Sequence, residues 1–276
     1  MFSSCITGFG SETEGKAFVK RHKVFFDRFP HLTEAMETAF IRKFETSEIH
    51  EIVIFYLGRL CCEDFMEILL LCGNGYGIGG MKILRGLYER AVNARYVQMF
   101  PDTAQNFMDY YWVSQHKLVQ SITEVVGKDV LTTASYSEVE ENFDKVKSRF
   151  TITDCKKCGT TRLSQSWNKL DFVSMARQIE TLKPLLAAAY YDPTKLLHST
   201  SSAIIARLAT SGDNSTFKFG AQLSESDMAL QLAHLIILDG LELQRQQFHC
   251  ESLKEQLDIC YRDFQDSWDA VKEDEL

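Results

Sequence analysis

Apolar residues recur at helical spacing along most of the chain. Between Ser47 and Cys72, apolar side chains occupy positions 49, 52, 53, 56, 57, 60, 68, 69 and 71, the pattern of an amphipathic helix. Arg59, Glu63 and Glu67 follow one another at intervals of four, so we expect them on another face of this helix. The pattern predicts one long helix over this segment.

Three further helices follow from the same periodicity. One is predicted over about 81–100, because Pro101 marks its end, and another over about 102–127. Late in the chain, SESDMALQLAHLIILDGLELQRQQFH places Ser224 and Asp227 in a capping pattern before a largely apolar run. The last segment is therefore predicted to be a mostly buried helix.

Two segments are less regular. Residues 127–166 combine short helical pieces with FTITDCKKCGTTRLSQS, which is predicted to be a loop or excursion. Residues 211–223, SGDNSTFKFGAQL, are predicted to form a turn and a short hairpin. The expected fold class is all-α: one domain over residues 1–276, a single antiparallel helical bundle with a small irregular insertion and a short hairpin.

The composition is that of a soluble globular chain with a reduced interior. Of its 276 residues, 45% are hydrophobic and 25% charged, and the formal net charge is −8. An acidic chain lacks the broad basic footprint of a non-specific nucleic-acid binder. The apolar stretch 52–72 is interrupted by charges and no secretory signal is visible, so we expect a cytoplasmic protein without a membrane partner, with mostly reduced cysteines.

Gly75, Gly77 and Gly80 spell G-x-G-x-x-G, the fingerprint of dinucleotide-binding loops. That function requires a strand before the loop and a second strand after the helix. Here the loop follows a predicted helix, and about 25 more residues of helical pattern come after Phe100. The sequence therefore predicts a turn between helices, in which glycine permits left-handed backbone and close approach, and no bound dinucleotide.

A polar stripe follows the second predicted helix. Arg85, Glu89, Asn93 and Tyr96 are spaced i, i+4, i+8 and i+11, which places them along one face beside apolar neighbours. In a functional interpretation, Arg85 binds an anion such as a phosphate, and Glu89 positions or deprotonates the bound molecule. Asn93 and Tyr96 then contribute to binding. The alternative is an Arg–Glu pair that only ties helices together.

His198 is the histidine with the most polar surroundings. It lies in YYDPTKLLHSTSS, with Tyr191 before it and Ser199 after it as candidate binding residues. A histidine in such a cluster could act as general acid or base, although a lone histidine is more often structural. His234, inside an apolar run, is expected in the core.

Cys155 and Cys158 form a single C-x2-C pair in DCKKCG. A structural zinc site needs four ligands, and the nearest other candidates, His249 and Cys250, lie more than ninety residues away. We therefore expect a polar loop with two thiols, no metal site and no cofactor. The motifs of zinc proteases, P-loop NTPases and serine esterases are missing.

Three motifs resemble, in content and order, one bacterial family. They are KILRGLYERAVNARYV (82–97), SWNKLDFVSMARQI (166–179) and AAYYDPTKLLHSTSSAI (188–204). They resemble the domain-of-unknown-function family five-six-seven-seven over about residues 45–250, although Asp192–Leu197 departs from the family's serine-bearing run. The resemblance implies an all-α fold with an arginine-x3-glutamate helix, and it implies no established activity.

Some proteins of this kind are distantly similar to the HEPN group of helical ribonucleases and toxins. Those use an arginine and a histidine with four to six residues between them. Arg245 and His249 have three residues between them, and Arg28 and His31 have two, so the motif is not present. A ribonuclease site here would have to be composite, with Arg85 and His198 on different helices.

Two functional hypotheses remain open, and the sequence does not decide whether the protein is an enzyme. In the first, it is a nuclease-like or toxin-like effector of bacterial stress or phage defence that cleaves RNA without a metal. In the second, it is a non-catalytic binding or regulatory module whose cleft takes an anion or a partner helix. A homodimer is expected in both, because the apolar helices, ten tyrosines and nineteen phenylalanines exceed what a small bundle needs to bury.

Overall fold

The computed structural model describes residues 10–127, 133–153, 159–198, 201–211, 214–217 and 220–273. Its helices are α1 (Glu12–Arg21), α2 (Lys23–Phe40), α3 (Ile49–Gly73), α4 (Gly77–Met99), α5 (Ala104–Val125), α6 (Thr133–Phe150), α7 (Phe172–Ala176), α8 (Asp192–Leu197), α9 (Ser201–Ile205), α10 (Ser226–Phe248) and α11 (Ser252–Glu273). Two antiparallel hairpins pair β1 (Thr151–Thr153) with β2 (Thr161–Leu163) and β3 (Leu208–Ser211) with β4 (Asn214–Phe217). The predicted all-α fold class is confirmed.

Helices α3, α4 and α10 form the centre of the molecule. Contacts of Asp64 with Arg90, and of Gly80 with Cys72, show that α3 and α4 are antiparallel. Their facing sides bury large apolar side chains, among them Phe65 and Tyr88, and α2 and α11 pack as a second pair beside them. Each helix in the described part of the chain is too short or too polar to span a lipid bilayer.

A buried ion pair joins α4 to α10. The Arg95 guanidinium donates from Nε to Asp239 Oδ2 and from Nη2 to Asp239 Oδ1, both at 2.9 Å, and Nη2 also donates to the Asp239 carbonyl oxygen at 2.8 Å. Only 10% of each side chain is exposed. Gln98 and Gln246 accept from the remaining nitrogen of Arg95, so its donors are satisfied inside the protein.

The glycine segment is a turn between two antiparallel helices. Gly75 has φ +81°, a left-handed conformation that glycine adopts without strain. A Cβ at Gly77 would lie 2.3 Å from the Ser224 carbonyl oxygen, and one at Gly80 would lie 2.9 Å from Cys72 Sγ. The turn follows the helix α3 and not a strand. Its glycines allow α4 to pack closely against residues 224–229.

The insertion at 127–166 is more regular than its sequence predicts. It contains the 18-residue helix α6, which packs against α5, and the β1–β2 hairpin, which the sequence interpretation misses. The second hairpin is confirmed, but it begins at Leu208, earlier than predicted. A small separate apolar cluster supports α6 and consists of Val113, Phe143, Val146 and Phe150.

The predicted cap of α10 is wrong. The helix begins at Ser226, its N-cap is Glu225 in a left-handed conformation, and no side chain caps it. Asp227 instead accepts from Arg21 Nε at 2.8 Å and lies 3.0 Å from Nε2 of the buried His22. Partial burial of Asp227 acts to raise its pKa, but the hydrogen bonds from His22 and Arg21 outweigh burial and lower the pKa. Asp227 thus ties α10 to the end of α1.

His234 lies in the core, as its apolar neighbours predict. Rings of Phe25, Phe65, Phe264 and Trp268 surround it, and Trp268 Nε1 lies 3.4 Å from His234 Nδ1. Burial lowers the pKa of His234 from 6.5 to about 3, with a smaller opposing effect of Asp263. The ring is therefore neutral in the folded protein at neutral pH.

This environment predicts an acid-labile fold. An unfolded chain protonates His234 below pH 6.5, whereas the folded protein does so only near pH 3, so stability falls as pH decreases across that window. The expected contribution is about 1.4 kcal/mol per pH unit. We expect His234→Phe to flatten the dependence of the unfolding free energy on pH between 4 and 6.5, measured by urea titration. Parallel curves for the two proteins would contradict the assignment.

Candidate functional site

Arg85 lies on the side of α4 that faces residues 187–198. Its Nε donates to Glu89 Oε1 at 3.0 Å, one turn along the same helix. Its guanidinium carbon lies 4.8 Å from the centre of the Tyr190 ring, which is the geometry of a cation–π contact. Glu89 and Tyr190 together fix the orientation of the guanidinium, whose Nη1 remains directed toward His198.

His198 lies next to Arg85 and directly follows the last residue of α8. The helix begins with Asp192 and Pro193, a favourable combination for a first turn, and ends at Leu197. His198 itself is extended, with φ −84° and ψ 151°, and its backbone N–H donates to the Thr194 carbonyl oxygen. The side chain is exposed, and its Nε2 lies 3.4 Å from Arg85 Nη1.

The contact between Arg85 and His198 sets one chemical requirement. A guanidinium only donates hydrogen bonds, so His198 Nε2 can bond to Arg85 Nη1 only as an acceptor, which requires the tautomer that carries its proton on Nδ1. A protonated imidazole would face the arginine as a second cation. An anion bound between the two groups would remove that repulsion. The pair can therefore hold an anion and exchange a proton next to it.

A π-helical turn over Ala187–Tyr191 supports the cluster. Such turns are rare and are frequent at functional sites. Tyr190 packs against Phe172 at 4.7 Å between ring centres and presents its face to Arg85, while Tyr191 lies edge-on to Tyr190 and is 43% exposed. The turn thus provides one partly buried ring, Tyr190, against Arg85 and one exposed ring, Tyr191, next to Tyr190.

The structure brings Arg85, Glu89 and His198 into one cluster. Asn93 lies two turns from Arg85, and its buried Oδ1 has no hydrogen-bond partner among the described residues. Tyr96 is only 6% exposed and packs on Trp167 and Phe100 instead of lining an open surface. Ser199, like Cys155 and Cys158, lies outside the described residues.

Tyr190 is the member of the cluster that sequence reasoning misses. The sequence feature that could have identified it is the adjacent pair Tyr190–Tyr191, of which the sequence interpretation includes only Tyr191. Helical spacing alone does not reveal the π-turn that points Tyr190 toward Arg85. Within the described ranges, no group of three or more His, Cys, Asp or Glu side chains is arranged to hold a metal ion.

Fold and site define an all-α protein with a partly exposed Arg–Glu–His cluster in contact with Tyr190. Comparison with protein families matches residues 50–215 to the family of unknown function DUF5677, and the chain belongs to this family. The matched segment contains Arg85, Glu89 and His198, and the resemblance inferred from the three sequence motifs is confirmed. No curated protein and no solved structure matches the chain.

Proposed function

We propose that the protein is a metal-independent ribonuclease whose site is formed by Arg85, Glu89 and His198. The observation that carries the proposal is the 3.4 Å contact between Arg85 Nη1 and His198 Nε2, which joins residues 113 positions apart in the chain. RNA supplies its own nucleophile, the 2′-hydroxyl, so cleavage needs a proton acceptor and a cation at the phosphate. Arg85 and His198 are the chemical groups that this reaction requires.

In the proposed reaction, His198 Nε2 takes the proton of the 2′-hydroxyl while the 2′-oxygen forms a bond to phosphorus. The bond from phosphorus to the 5′-oxygen breaks, water supplies the proton that the 5′-oxygen takes up, and the product is a 2′,3′-cyclic phosphate. Arg85 stabilises the negative charge that develops on the phosphoryl oxygens. Glu89, bound to Arg85 Nε at 3.0 Å, is a positioning residue that keeps Nη1 directed to the phosphate.

The surroundings favour single-stranded RNA as the substrate. A net charge of −8 gives little general attraction to a phosphate backbone, so affinity has to come from local contacts. The ring of Tyr191, 43% exposed and adjacent to the Tyr190 ring that contacts Arg85, offers a surface on which an unpaired base can stack. We also propose that the protein acts in the bacterial cytoplasm, as an effector in stress or phage defence.

A second candidate function is a non-catalytic module that binds an anion or a partner. The observation that favours it is the ion pair with Glu89, which reduces the positive charge that Arg85 can offer to a transition state while Nη1 stays free of Glu89. In that case Arg85 and His198 would bind an anionic group without turnover.

Cleavage of a labelled single-stranded RNA in the presence of a chelator separates the two functions. We expect activity in the wild type, and a loss of about 100-fold or more in Arg85→Ala and in His198→Ala. Arg262→Ala is the matched control, since Arg262 is exposed on α11 and makes no contact with the cluster. Activity that persists in His198→Ala, or RNA binding without cleavage in the wild type, would contradict the ribonuclease proposal. The second result would support the binding module.

A further inference from the structure

One stripe of α3 is exposed although the rest of the helix is buried or partly buried. Tyr56, Leu60, Met66 and Leu70 are between 40% and 57% exposed, and charged side chains alternate with them at positions 59, 63 and 67. The expectation that apolar and charged residues of this helix occupy different faces is thus wrong for this stripe. Exposed residues at 49, 56, 63 and 70 are spaced by seven, which is the repeat of helices that pair along their length.

The charged side chains of the stripe have no ion-pair partner in the described part of the chain. Among the described residues, Arg59, Glu63 and Glu67 form no ion pair within 4.0 Å, whereas Asp64 on the buried side binds Arg90. Both signs of charge are therefore present on an apolar surface without a partner in the described part of the same chain. A lipid surface is a poor occupant, because the three charges lie between the apolar side chains.

The stripe is complementary to itself. If two copies of α3 are placed antiparallel about a two-fold axis near residue 61, residues whose numbers add up to 122 face each other. Ile52 then faces Leu70, and Tyr56 faces Met66, so apolar side chains meet apolar ones. Arg59 of each copy faces Glu63 of the other, so opposite charges meet on both sides of the axis.

We propose that α3 is the interface of a homodimer, in which this stripe packs against the same stripe of a second copy. In an isologous contact each pairing occurs twice, once on either side of the axis, and these three pairings form together at one register. The antiparallel pair would bury Tyr56, Leu60, Met66 and Leu70, and the Arg59–Glu63 pairs would fix the register. This interface is independent of the proposed ribonuclease site, because α3 contributes none of the residues of that site.

A charge-exchange experiment tests this interface. Wild type is expected to be a dimer by light scattering, and Arg59→Glu and Glu63→Arg are each expected to be monomers, because like charges then face each other. Mixing the two variants should restore a dimer, because positions 59 and 63 are then both acidic in one chain and both basic in the other. Circular dichroism of the separate variants confirms that both are folded.

Other outcomes overturn the proposal. A monomeric wild type at high micromolar concentration would show that α3 does not mediate self-association. A dimer that survives both substitutions, or variants that stay monomeric when mixed, would place the contact elsewhere or in another register. Cleavage of RNA by a monomeric wild type would leave the ribonuclease proposal intact while the interface failed.

Discussion

Replacement of Arg95 by methionine is expected to lower the free energy of unfolding by about 3–5 kcal/mol. The substitution leaves Asp239 buried with an unpaired charge, after the loss of two hydrogen bonds at 2.9 Å to its carboxylate. Removing one partner of a buried pair costs more than the pair contributes, because the remaining charge stays desolvated. Urea denaturation of wild type and variant gives the difference directly.

Two further variants separate this cause from others. Arg95→Met combined with Asp239→Leu removes both charges, and we expect it to recover most of the lost stability. Lys145→Met breaks an exposed ion pair with Glu141 and should change stability by less than about 1 kcal/mol. If the double variant were as unstable as Arg95→Met alone, packing of the arginine and not the unpaired aspartate would be the cause.

Gly77→Ala is expected to destabilise the protein by about 3 kcal/mol. The new Cβ would lie 2.3 Å from the Ser224 carbonyl oxygen and 2.4 Å from the Ser226 backbone nitrogen. These are backbone atoms, which cannot move without separating α4 from the start of α10. The measurement is the midpoint of urea unfolding, together with the slope of the transition.

Gly79→Ala is the matched control, two residues further along the same helix. Its Cβ would lie 3.4 Å from a methyl carbon of Leu71, which is an ordinary contact with a side chain that can adjust. Alanine is a better helix former than glycine, so this variant should gain up to about 1 kcal/mol. Equal effects at Gly77 and Gly79 would show that helix propensity, and not close approach, explains why these glycines are present.

The glycines also show how far helix boundaries follow from sequence. The helix predicted to begin near Met81 begins at Gly77, because close packing outweighs the poor helix propensity of three glycines. The helices α3, α5 and α10 are predictable because each has a long apolar period. The helix α6 is not, since its sequence TASYSEVEENFDKVKSRF buries few side chains and its apolar partners lie on α5.

The candidate site, like the helix boundaries, follows from the sequence only in part. Arg85 and Glu89 are one helical turn apart, so their contact follows from spacing. The position of His198 beside them depends on tertiary packing, and only the resemblance to a family suggests it. Tyr96 follows the same helical stripe, but it packs on Trp167 because the helix turns that side into the core. Periodicity identifies faces, and only the fold shows which face is open.

The most direct test of the proposed ribonuclease site is the chemical nature of the ends that wild-type protein produces from a single-stranded RNA with a chelator present. We expect fragments that end in a 2′,3′-cyclic phosphate, and no cleavage where the nucleotide at the cut carries a 2′-deoxyribose. RNA that stays intact, or that is cut equally well at the 2′-deoxy position, would contradict the assignment of Arg85 and His198 as a ribonuclease site.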